Sequence, residues 1–195
     1  QTVANHRRML ASLRREALRV GLLVDSCTDN FRRVKCPREL PVAWDHGQIR
    51  HLIETAEKTP RGTARCKWKI LLPAYIRVAY SSGLRLGDML EIRHDSLRGD
   101  RLGLLMAKTR RPHVCVLDQA AIHAIGSLPV FGPRIFGDLV GRCIFLRAFR
   151  RLVKQAGLKG SSKFLRRSSA TYAVIAGQDA TGHLGHATAG LAIRH

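Results

Sequence analysis

Apolar positions near the start of the chain recur at helical spacing. Leu10, Leu13, Ala17 and Val20 share one face with arginines opposite, which predicts a helix over residues 2–20 that Gly21 ends. Over residues 25–42 the periodicity is lost, and Cys36-Pro37 and Leu40-Pro41 interrupt regular backbone, so the stretch reads as a linker and a domain boundary. The pattern resumes at Asp45, which forms a capping box with Gln48 ahead of the stripe Ile49, Leu52, Ile53 and Ala56. Residues 67–82 are largely apolar and predict a helix with Pro73 near its start or at a kink, ended by Ser82-Gly83. A short helix is expected from Leu86 to Ile92.

The period then shortens. Residues 101–106 and 113–117 are two short apolar runs joined by Lys108-Thr109-Arg110-Arg111-Pro112, which reads as a β-hairpin with a basic tip. Helical spacing returns over residues 118–127 and again over 136–156, where Leu139, Cys143, Leu146, Phe149 and Val153 are expected on one buried face before Gly157. Ser161 or Ser162 can cap a further helix over residues 163–176 that Gly177 closes. The expected fold class is α+β, mainly α-helical, with one small antiparallel hairpin or sheet near the middle.

Composition narrows the function. Of 195 residues 45% are hydrophobic, so the chain can bury a core and is no disordered tail, yet 34 Lys+Arg stand against 14 Asp+Glu. A net charge of +20 spread along the whole chain points to a polyanion, and a surface that wraps a duplex uses spread charge better than one tail does. No run reaches the ~20 apolar residues of a membrane span, so no membrane partner is expected. The five cysteines form no CxxC pair, which argues against a zinc ribbon or disulfide framework and for a reducing, cytoplasmic setting with cysteines as small core fillers. Opening on Gln1 without an apolar leader, the chain is expected to be the remainder of something longer.

Four segments stand out together: SSGLRLGDMLEIR around Arg85, AKTRRPHV around Lys108, KFLRRSSATY around Arg166, and HLGHAT around His186. In order and rough spacing over residues 44–195 they resemble the catalytic domain of the tyrosine recombinase (phage integrase) family. The resemblance implies that residues 1–38 are the end of a helical core-binding domain plus linker, and that residues 39–195 are the catalytic domain. It further implies breakage and rejoining of duplex DNA through a 3′-phosphotyrosyl intermediate, without cofactor or metal. A homo-tetramer would assemble on DNA with exchange of C-terminal segments.

Chemistry gives these residue types a reason. Cleaving a phosphodiester without metal requires stabilising negative charge on its non-bridging oxygens, and a guanidinium offers a planar fork of donors that keeps its charge. The implied roles are a phosphate clamp for Arg85 and Arg166, protonation of the leaving 5′ oxygen by Lys108, and a hydrogen bond to phosphate from His186. Lys163 stands where the family most often has histidine, as a further donor or a proton acceptor, and Asp88 is expected to orient an arginine. Arg110, Arg111 and Arg167 are expected to contact DNA phosphates.

One departure bears on activity. The family's nucleophilic tyrosine would fall at His195, where the sequence stops; a chain cut just before its tyrosine is expected over a histidine nucleophile. Tyr80 and Tyr172 do not fit that position, and Tyr172, Trp44 and Trp68 read as core or seam residues. His183 and His186 lack a third ligand for a metal, while His94, His113 and His123 read as surface or hairpin residues. Two other functions stand beside it: a basic DNA-binding protein without chemistry, which fits the charge, and a type IB topoisomerase-like enzyme, which the resemblance implies because such enzymes share the family's fold and chemistry.

Overall fold

The computed structural model describes residues 2–24 and 42–185. The linker expected over residues 25–42 lies almost wholly outside the described residues, as do Cys27, Cys36, His186 and His195. The chain divides into two compact units, Gln1–Leu40 and Pro41–His195. Among the described residues of the first, helix α1 (Thr2–Arg19) runs to a left-handed Gly21, with Met9, Leu10 and Leu13 exposed.

The second unit is built around one buried helix. Its elements are α2 (His46–Glu57), α3 (Trp68–Ser82), α4 (Leu86–Glu91), strands β1 (Leu97–Arg98), β2 (Arg101–Leu105) and β3 (Pro112–Val116), then α5 (Gln119–Gly126), α6 (Arg142–Gln155), α7 (Lys163–Ile175) and α8 (Ala180–Leu184). Helix α3 buries residues on every side, including Leu71, Leu72, Tyr75, Ile76 and Val78, as its nearly unbroken apolar run requires, and α2, α5 and α7 pack against it. Pro73 sits inside α3, which continues through it. Tyr75 meets Phe136, Phe145 and Phe149 ring to ring, with centroids 5.9, 4.3 and 6.0 Å away. The capping box opens α2 as expected: Asp45 Oδ1 accepts from the Gln48 amide at 2.7 Å, and Gln48 Oε1 accepts from the Asp45 amide at 3.1 Å. Ser168 on α7 pins the approach to α2, accepting from the Trp44 amide at 2.8 Å and donating to the Trp44 carbonyl at 2.7 Å.

The sheet is antiparallel in the order β1-β2-β3, with Leu102 opposite Cys115 and Leu104 opposite His113. The mainly helical α+β class with one small sheet is thus what the chain adopts. Among the described residues no helix is long and apolar enough to cross a membrane.

Three expectations need correction. The helix expected from residue 136 begins at Arg142. Residues before it form a loop closed by Asp138, whose Oδ2 accepts from the Arg134 amide at 2.8 Å, and Gly137 is pressed against the Leu90 carbonyl where no side chain fits. The buried face of α6 is Phe145, Phe149, Leu152 and Val153; Cys143 is exposed, so it is no core filler, unlike the buried Cys66 and Cys115. Ser162 precedes α7 in a helical conformation and makes no side-chain cap.

Candidate phosphate-binding site

The site is organised by the corner between α3 and α4. Gly83 caps α3 in the left-handed region (φ 62°), a conformation glycine adopts freely. A Cβ there would lie 2.8 Å from Leu184 Cδ2 and 3.1 Å from Ser169 Oγ, so the corner is also held tightly under α7 and α8. Two residues on, Arg85 is the N-cap of α4, in extended conformation, and its side chain remains 32% exposed.

Arg166 reaches this corner from α7. It is 7% exposed, and its guanidinium donates from Nη1 to the Gly83 carbonyl and from Nη2 to the Leu184 carbonyl at 2.9 Å. One planar fork thereby ties the end of α3 to the end of α8. Burial and then the charge of Arg85, opposed by Asp88, push Arg166 down to about 10, so it stays a cation at neutral pH. Arg167 turns outward instead, with its guanidinium 5.1 Å from the Phe164 ring centre.

Asp88 is buried in the first turn of α4. Its Oδ1 accepts from the Ala107 amide at 2.8 Å, and its Oδ2 lies 3.9 Å from Arg85 Nη1. That separation is an ion pair without a hydrogen bond. Arg85 Nη1, Asp88 Oδ2 and His113 Nε2 are each buried and have no hydrogen-bond partner among the described residues.

His113 was expected at the surface or on the hairpin. It is on the hairpin but 8% exposed, because β3 turns His113 and Cys115 inward and leaves Val114 and Val116 outside. Burial, then Arg166, hold its imidazole below the usual histidine value, with Arg85 adding to this and Asp88 opposing. The strand pairing carried the missed signal: Leu102 is the inward residue of β2, and pairing it with Cys115 sets the parity that turns His113 in. His183 on α8 shares a 2.6 Å hydrogen bond with Ser169 Oγ and is likewise held low by burial, His113 and Arg166.

The remaining candidates lie at the margin or outside. Lys108 is exposed in the turn between β2 and β3, directly after the Ala107 amide that Asp88 holds. Arg110, with φ 53°, and Arg111 are exposed in the same turn. Lys163 is exposed at the first residue of α7, and His186 lies beyond the described residues. Tyr172 packs on His46 with ring centres 3.8 Å apart and Tyr80 nearby. No group of three metal-ligating side chains occurs among the described residues. The structure therefore brings together Arg85, Asp88, Arg166, His113 and His183, with a basic hairpin tip beside them.

No protein-family model and no curated protein matches the sequence. Solved structures do. A dimer of lambda integrase residues 75–356 bound to a COC' core site superposes with a TM-score of 0.79 at 20% identity, covering 98% of this chain and 72% of that one. XerA recombinase gives 0.66 at 20% identity over 82% of this chain, which spans 62% of that protein's length. XerH recombinase bound to a palindromic difH substrate gives 0.63 at 17% identity over 80% of this chain and 50% of that one. The second unit's buried central helix, small three-stranded sheet and two-arginine corner thus belong to a chain with the fold of these integrases and recombinases.

Proposed function

We propose that this chain is the DNA-cleaving part of a tyrosine-type site-specific recombinase. The observation that carries the reading is the convergence of Arg85 and Arg166 at the Gly83 corner, where the buried Arg85 Nη1 has no hydrogen-bond partner among the described residues. Two guanidiniums stand here against the single carboxylate of Asp88, so the corner keeps a net positive charge that a bound anion offsets. A scissile phosphate supplies that anion, and donors fixed before it arrives stabilise the extra charge of the pentacoordinate state.

On this reading Arg85 and Arg166 hold the non-bridging oxygens, and Lys108 protonates the 5′ oxygen as the phosphorus–oxygen bond breaks. His186 and Lys163 are further donors. The attacking tyrosine would stand at about the place of His195; strand cleavage is expected only of a polypeptide that carries a tyrosine there. The phosphoryl bond is kept on the protein and not given to water, so rejoining needs no ATP. Duplex DNA is the partner, several copies assemble on it, and residues 1–38 act as part of a second DNA-gripping domain.

A basic stripe on α6 supports duplex binding. Arg147, Arg150, Arg151 and Lys154 are exposed opposite the buried Phe145, Phe149, Leu152 and Val153. Such a row suits phosphates along one groove wall.

The test is covalent trapping. The full chain with His195→Tyr, or extended to a tyrosine, is incubated with a randomised pool of nicked suicide duplexes. A protein–DNA adduct is expected, and it should disappear in Arg85→Ala and Arg166→Ala. Intact duplex binding with no adduct in any extended form would overturn the enzymatic reading and leave a DNA-binding protein.

A further inference from the structure

We propose that His113 is a third anion-binding side chain of the Arg85–Arg166 pocket, donating from Nε2 to a phosphate oxygen and taking up a proton as the anion arrives. The inference rests on the phosphate pocket proposed above and adds to it a residue from the sheet.

The geometry of the ring comes first. A Cβ on Gly185 would lie 2.8 Å from His113 Nδ1, so that edge of the imidazole abuts the backbone of the α8 terminus. Nε2, on the other side of the ring, is buried and has no hydrogen-bond partner among the described residues. A buried imidazole nitrogen without a partner is uncommon in a folded protein, and this one is available to donate to a bound group. His113 is 8% exposed and Arg166 7%, so the histidine is buried to the same degree as the clamp residue.

The field around the ring gives the second argument. From α4 it faces Arg85 and Asp88, from α7 Arg166, and from α8 His183; Arg110 and Arg111 of its own hairpin are exposed. Two guanidiniums against one carboxylate leave the empty pocket hostile to an imidazolium. A bound oxyanion reverses the balance, because it adds negative charge and accepts the Nε2 proton in one step. By linkage, an anion that favours the protonated ring must bind more tightly when the ring is protonated. The covalent balance is simple: one proton moves from solvent to Nδ1 or Nε2, and no bond to phosphorus changes.

Sulfate is a suitable probe because its charge is constant over the working range. The full chain is titrated with sulfate between pH 5.5 and 8.5, at fixed ionic strength set by chloride. His113 ring protons and the Gly83 and Arg85 amides are followed by NMR. The expected result is a saturable response at Gly83 and Arg85, an upward move of the His113 titration midpoint with sulfate, and affinity rising by up to tenfold per pH unit on acidification. His113→Gln should flatten that pH dependence, and Arg85→Ala should abolish the response. Since the key measurement is on the unaltered chain, a poorly folded variant does not decide the matter. A saturable response at Gly83 and Arg85 with an unmoved His113 titration would overturn the role of His113 while leaving the phosphate pocket intact. No saturable response anywhere would overturn the pocket and the inference together.

Discussion

Arg166→Ala tests how the pocket is held. The substitution removes two donors of a charged group, each worth about 1.5–3 kcal/mol, and leaves the Gly83 and Leu184 carbonyls without them. Against this stands the cost of holding the cation there. Burial and Arg85 push its value well down, to about 10, a shift that corresponds to about 3 kcal/mol. The balance runs from about zero to a net loss of about 3 kcal/mol, with the bonds at least offsetting the relieved charge. At about 2–4 °C per kcal/mol for a chain of this size, the midpoint of thermal unfolding should fall by at most about 12 °C. Circular dichroism melts at pH 7 read the global effect. Amide exchange at Leu184 and Gly185 should accelerate beyond it, since α8 loses its tie to the α3–α4 corner. Arg166→Lys should recover part of the loss at most, because one ammonium cannot reproduce the fork. An unchanged melt together with unchanged exchange at Leu184 would refute the claim that this guanidinium joins the two segments.

Other consequences are open to measurement. His113 and His183 are both held below the usual histidine value in the folded chain, so they contribute stability that is present above about pH 6.5 and is lost as pH falls through their folded values; urea melts from pH 7.5 to 5.5 should show falling stability, with a shallower fall in His183→Gln. Gly137→Ala forces a methyl group onto the Leu90 carbonyl and should cost about 1–3 kcal/mol in chemical denaturation, whereas Gly126→Ala, within α5 and with open space around it, should not. If α6 lies along phosphates, Arg150→Ala with Arg151→Ala should reduce the slope of log affinity against log salt by up to about 2 on a generic duplex, an effect absent if that face points away from DNA.

Much of the second unit was legible because its signals are local. The Asp45–Gln48 capping box, the apolar run that makes α3 and the glycines at 83 and 177 each specify backbone within a few residues. The start of α6 was not legible, since the apolar spacing of Leu139 persists through a loop whose course is set by a side chain bonding back, Asp138 to Arg134, and by contact with distant Leu90. The inward turn of His113 was hidden for another reason. Val114 and Val116 are as apolar as Cys115 and Leu117, so the strand shows no contrast between its faces, and only the pairing with β2 decides which one is buried. The two arginines could be named from their motifs; the unpartnered imidazole nearby required the fold.

The hydrogen bond from the Ala107 amide to Asp88 has a wider meaning. It joins the turn bearing Lys108 to the helix that Arg85 begins, through a carboxylate sealed from solvent. Lys108 and Arg85, the proposed proton donor and the proposed charge clamp, are therefore not independent parts. They share a tether one residue long, and whatever tilts α4 also carries the lysine with it.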